Sequence, residues 1–141
     1  MTVEWRGAKI LAQVQSAIWE SEKTTAENVE SEAKRLCPVL KDAHAGRTPG
    51  LMRDAIKAAK ADSVPSIKKE SGWVVYVPAG NSPTFYSRWV ELGTRKRVDE
   101  TWRTSGHTHK VPRQPFLRPA LERKRKAFWW RVKSNINKKL I

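Results

Sequence analysis

The sequence predicts an α+β domain in which long N-terminal and C-terminal helices pack on a small, mostly antiparallel β-sheet. Three observations carry that prediction. Residues 3–36 place apolar side chains at helical spacing, with no proline or glycine between Ala8 and Leu36. A short β-branched and aromatic run follows at Trp73–Val77, and a second helical stripe runs from Pro115 to Leu140.

In the first helix, Leu11, Val14, Ile18, Val29, Ala33 and Leu36 recur on one side. Cys37-Pro38 ends it, because a residue before proline avoids the helical region. At 1.5 Å per residue it spans roughly 45–50 Å, longer than a domain this size needs, so part of it is expected to pack on another subunit. Thr24 and Thr25 are weak helix formers and are expected to mark a bend or break. Gly46 and Pro49-Gly50 signal a loop. Residues 51–62 read equally as helix, from Ala55, Ala58 and Ala59, or as a strand beginning at Ile56. Gly72–Pro78 is the clearest strand. Phe85–Leu92 reads as a short helix with Phe85, Trp89 and Leu92 on one face, ended by Gly93. A polar loop over 95–114 then leads to the last helix at 115–141, whose Pro119 falls in the tolerated first turn. Its stripe is Leu117, Leu121, Phe128, Val132, Ile136 and Leu140.

A length of 141 residues suits one domain, which buries roughly 70% of its unfolded surface without disulfides or metals. Lys and Arg number 28 against 14 Asp and Glu, a formal charge of +14 that calls for an anionic partner. The excess is local. Residues 95–141 hold 15 bases and three acids, whereas the first 94 hold 13 and 11. Glu20, Glu22, Glu27, Glu30 and Glu32 make one stretch of the first helix acidic. That stretch is either a solvated face or a docking face for the cationic region of an adjacent copy. Cys37 is the only cysteine, so no intrachain disulfide forms, in keeping with a reducing compartment. The chain has no apolar run of membrane-spanning length and no apolar signal core near Met1, which predicts cytosolic synthesis and assembly.

Catalytic chemistry finds little support. His107 and His109 stand two apart without the four ligands structural zinc uses. Cys37 at a helix C-terminus is poorly placed to become a thiolate. No phosphate-binding glycine loop is present. Glu91 is the only acid of its short helix; the simpler reading makes it an acceptor for backbone N–H groups or a partner for an arginine rather than a general base. The chain therefore reads as a non-enzyme with no cofactor and no metal. Arg123-Lys124-Arg125-Lys126 before Phe128, Trp129 and Trp130 mixes cations with aromatics as single-strand binders do. From these residues alone, nucleic-acid binding and protein assembly stand nearly level.

Three segments bear on that choice: Gly50-Leu51-Met52-Arg53-Asp54-Ala55-Ile56, then Tyr86-Ser87-Arg88-Trp89-Val90-Glu91-Leu92-Gly93-Thr94, then Pro112-Arg113-Gln114-Pro115-Phe116-Leu117-Arg118-Pro119-Ala120-Leu121. Their order and spacing resemble the tailed-phage neck and tail proteins typified by gene product 10 of phage HK97, a family of head–tail joining or tail-completion proteins. Met52, Ala55 and Leu92 replace the usual Leu, Ser and Phe, and the 95–114 loop is more basic than the family's. The resemblance implies a structural virion protein in a homo-oligomeric ring around the DNA channel, about six copies first and about twelve second, because a ring must match a symmetric tube or portal. Its implied partners are other neck, portal-adaptor or tail proteins, with packaged DNA passing nearby and no membrane. Its implied location is the virion neck, after assembly in the bacterial cytoplasm.

On this reading Tyr86, Glu91, Gly93, Thr94, Pro115, Phe116, Leu117 and Pro119 are the structural frame. Arg95, Lys96, Arg97, Arg103, Lys110 and Arg113 are the expected contact with another virion protein. Glu20, Glu27, Glu30, Arg123, Arg125, Trp129 and Trp130 are the expected subunit interface. The alternative is a nucleic-acid-binding protein that uses the basic C-terminal third.

Overall fold

The structure, a computed structural model, describes residues 6–39, 48–64, 71–78, 83–93 and 112–140. Its elements run α1 (Gly7–Leu36), α2 (Leu51–Asp54), β1 (Lys57–Lys60), a 3-10 turn (Ala61–Ser63), β2 (Trp73–Tyr76), α3 (Ser87–Leu92) and α4 (Leu117–Leu140). Two long helices and a two-stranded antiparallel sheet make this an α+β fold, as the sequence predicts.

α1 and α4 pack side by side and antiparallel. Glu32 meets Arg123, Thr25 meets Arg131, Ser21 meets Asn135 and Glu20 meets Lys139, so numbering falls along α4 as it rises along α1. Small residues let the helices approach. Ala17, Ser21 and Ala33 of α1 and Ala120 of α4 are fully buried. Four-residue steps put Ala17, Ser21, Thr25, Val29 and Ala33 on one line along α1.

The expected break at Thr24-Thr25 does not occur. The Thr24 hydroxyl donates to the Glu20 carbonyl at 2.9 Å and that of Thr25 to the Ser21 carbonyl at 2.7 Å. Each hydroxyl is satisfied on its own helix, so the helical backbone meets no competing partner. α1 then ends as predicted. Cys37 turns to an extended conformation before Pro38, while its N–H still bonds to the Ala33 carbonyl at 2.8 Å.

The ambiguity over 51–62 resolves into both readings in succession. Gly50, at φ +82°, supplies the left-handed turn that starts α2, and Ile56 enters β1 fully buried. β1 pairs with β2 in the register Lys57↔Tyr76 to Lys60↔Trp73. The Ala61 N–H bonds to the Gly72 carbonyl at 3.0 Å, which makes 61/72, 59/74 and 57/76 the bonded pairs. Ala58 N–H therefore points away from β2, and the Glu30 carboxylate of α1 accepts it at 2.7 Å. The sheet is fastened to α1 again by Trp19 against Trp73, centroids 5.7 Å apart, with the Lys60 ammonium 4.7 Å over the Trp19 ring.

The core lies at one end of the helix pair. Val29, Ala33, Cys37, Met52, Ile56, Phe116 and Ala120 form it, with Tyr86, Val90 and Leu117 packed against its side. Two apolar stripes are corrected here. On α3, Tyr86 and Val90 turn inward, while Phe85, Trp89 and Leu92 are exposed. On the long helices, Leu11, Ile18 and Leu140 are exposed because the core covers only the other end of the pair, and Leu121 is exposed at the core end itself, next to buried Ala120.

Replacing Phe116 by Ala is expected to lower unfolding stability by about 3–5 kcal/mol, the range for emptying a buried aromatic site. Trp130→Ala, at a position 72% exposed, should change it by no more than about 0.5 kcal/mol. Urea denaturation of the two variants measures the contrast.

Candidate functional site

The second and third motifs are joined at one carboxylate. Glu91, on α3, accepts the backbone N–H of Phe116 at 2.7 Å and of Leu117 at 3.1 Å through Oε2, and that of Arg118 at 3.0 Å through Oε1. A helix leaves its first backbone donors without internal partners. At the start of α4 each one is accounted for. Glu91 takes those of Leu117 and Arg118, Pro119 has none to offer, and Ala120 donates to the Phe116 carbonyl at 3.3 Å. A negative charge also suits the positive end of the helix dipole. Gln114 N–H donates to the Val90 carbonyl at 2.9 Å, so α3 and the approach to α4 are joined twice. Gly93, at φ +70°, turns the chain out of α3 beside this junction. Glu91 thus has the structural role of the simpler sequence reading.

A second cluster sits about two turns into α4. Glu32, with a side chain only 10% exposed, holds Arg35 at 2.6 Å, Arg123 at 2.8 Å and Lys124 at 3.6 Å. Hydrogen bonds from Arg35 and Arg123 pull its pKa down to about 2. Glu20 is likewise lowered, chiefly by the Lys139 ammonium at 2.6 Å. Burial opposes the charge on Glu30, yet the Lys34 ammonium and the Ala58 N–H outweigh it and hold its pKa below the ordinary value. Of the acidic face of α1, Glu20 and Glu32 therefore meet the basic helix α4 of the same chain, and the rest do not. Glu20 binds Lys139, Glu30 binds Lys34 and Ala58, and Glu27 reaches only Lys23, at 3.9 Å.

Other candidates are placed as follows. Arg123 is engaged with Glu32, whereas Arg125 is exposed and has no partner among the described residues. Trp129 and Trp130 stand out from α4 at 73% and 72% exposure, next to Lys126 and Lys133. Arg113 is exposed ahead of α4. Thr94, Arg95, Lys96, Arg97, Arg103 and Lys110 lie outside the described residues, as do all three histidines.

Beside this frame runs a feature the sequence reading missed, a groove of about 1070 Å³ between β2, the middle of α1 and the outer side of α4. Its walls are largely apolar, with Val29, Val74, Leu121, Phe128 and Trp129 among them, and Arg125 and Lys126 on one rim. The Trp73 indole N–H, at the same place, is buried without an acceptor among the described residues. No group of three or more His, Cys, Asp or Glu that would hold a metal is present among the described residues. Burial pushes the Cys37 thiol up to about 11, which disfavours its thiolate at neutral pH. No described helix is long and apolar enough to cross a membrane.

No protein family, curated protein or solved structure matches this chain.

Glu91→Ala is expected to cost about 1–3 kcal/mol, since it removes a cap and strands donors near the core. Glu91→Gln retains an acceptor oxygen and should cost less; thermal unfolding ranks them. Glu32 gives a pH prediction. Its folded pKa of about 2 lies below the ordinary 4.5, so its stabilisation is complete above 4.5 and is lost as pH falls toward 2. Glu32→Gln should destabilise at neutral pH and flatten the loss of stability across that acid window, measured by urea unfolding at stepped pH.

Proposed function

We propose that the chain is a structural protein of a tailed-phage virion, a head–tail joining or tail-completion subunit of a homo-oligomeric ring. The observation that carries the reading is the Glu91 junction. It joins the second and third motifs through three backbone N–H groups, which gives their joint occurrence a physical reason. Neither motif converges polar groups on a reactive atom, which suits a scaffold.

Assembly draws further support from exposed apolar surface. Phe85, just before α3, and Trp89 and Leu92 on it are exposed apolar side chains, with Phe85 and Trp89 in edge-on contact at 5.5 Å. Ile10, Leu11 and Ile18 are exposed on the N-terminal half of α1, which runs beyond the core. Two different apolar patches suit the head-to-tail contacts that close a ring. Since much of the acidic face of α1 is paired within its own chain, apolar contact rather than charge is the better source of the subunit interface.

A second reading rests on one observation. The unpaired Arg125, Lys126 and Lys133 surround exposed Trp129 and Trp130, a combination that suits single-stranded nucleic acid.

Native mass spectrometry of the purified chain and copy counting in purified virions test the first reading. Closed rings of about six or about twelve copies are expected, and Trp89→Asp should dissociate them while leaving the helical signal unchanged. A monomer at high concentration, together with absence from virions, would falsify it. Salt-sensitive retardation of single-stranded DNA, abolished by Trp129→Ala with Trp130→Ala, would favour the second.

A further inference from the structure

We propose that the outer edge of β2 and the groove beside it form a docking site for an extended segment of a partner protein, one that alternates apolar and acidic side chains. This goes beyond the ring assignment and does not depend on it.

The two edges of the sheet are treated differently. In the bonded register, Ala58 points its N–H outward from β1, and Glu30 occupies that donor. By the same parity, Trp73 and Val75 point their backbone groups outward from β2. Neither makes a backbone bond on that side to any described residue. An edge with open donors and acceptors is a template for another strand. The groove lies against this edge, since the five consecutive residues 71–75 line it. A strand face would contribute alternate residues; an edge contributes all of them.

The lining defines the occupant. An apolar floor needs apolar side chains, which a nucleic-acid backbone does not carry. On the α4 rim, Arg125 and Lys126 are exposed and unpaired, so the other side chains of the occupant should be carboxylates. The described residues of a second copy are poorly equipped to supply them. Of nine described carboxylates, only Glu22 and Asp62 lack a partner within the chain, and Glu22 lines this same groove. A foreign acidic strand therefore fits better than the described surface of a second copy.

The test uses the full chain and a labelled peptide of about six residues, an ordinary strand length, that alternates Val and Glu. Fluorescence anisotropy should show binding that weakens with salt. A Val–Lys peptide of equal length should not bind. Methylating alternate backbone nitrogens of the Val–Glu peptide, which removes donors but no charge, should weaken binding about tenfold or more, because main-chain bonds carry the affinity of strand addition. Arg125→Glu with Lys126→Glu should weaken it by a similar factor without unfolding the protein, as both side chains are exposed. Indifference to N-methylation, equal binding of the Val–Lys peptide, or no binding at all would each overturn the proposal. So would displacement of the peptide by single-stranded DNA, or release of a homo-oligomer by the peptide, which would assign the groove to nucleic acid or to a second copy.

Discussion

The pairing of α1 with α4 is the contact on which the other elements depend. A two-stranded sheet and a six-residue helix do not persist alone in water. Both lean on the end of the helix pair where Val29, Ala33, Phe116 and Ala120 meet. Close approach comes from the small residues along α1. Register comes from polar partners. The Ser21 hydroxyl donates to the Ala17 carbonyl at 2.7 Å and accepts from Asn135 at 3.0 Å, while Thr25 accepts from Arg131 at 3.1 Å. A slip of one turn would strand Ser21 in the seam and take Arg123 and Lys124 away from the covered carboxylate of Glu32. An uncompensated carboxylate in such a place is strongly unfavourable, so the apolar seam gives attraction and the polar pairs reject other alignments.

The same dependence explains what could be read in the sequence. α1, α4 and β2 were legible because each carries a periodic signal over its length or a clear β-branched run. The role of Glu91 was legible in kind, since a lone acid beside a Gly turn favours backbone donors, although nothing local named Phe116, Leu117 and Arg118 as those donors. The outward turn of Phe85, Trp89 and Leu92 was not legible. A helix of six residues offers two apolar sides, and the core chose Tyr86 and Val90. Nor does sequence separate a charge pair within a chain from one between chains. Glu20 to Lys139 spans almost the whole molecule, and only the antiparallel packing of α1 on α4 brings them together. The groove was hidden for a related reason: an open strand edge depends on hydrogen-bond parity, which residue type does not reveal.

Acids and bases consequently have different work in this molecule. Glu91 closes the N-terminus of α4, Glu30 closes the outer edge of β1, and Glu32 gathers cations from both long helices. Each carboxylate finishes a boundary that secondary structure leaves open. Once these are in place, few described acids remain to balance the bases, so the net charge of +14 is not spread evenly as a solubilising coat. Along α4 it collects on the outward side as Arg125, Lys126 and Lys133, interleaved with Trp129 and Trp130. The outer edge of β2 has no described side chain bonded to it, unlike the outer edge of β1, and Arg125 and Lys126 stand on the rim of the groove beside it. The contrast between the two sheet edges is therefore one of hydrogen bonding: Glu30 fills the outward donor of β1, while the outward groups of β2 bond to no described residue and face a groove rimmed by Arg125 and Lys126.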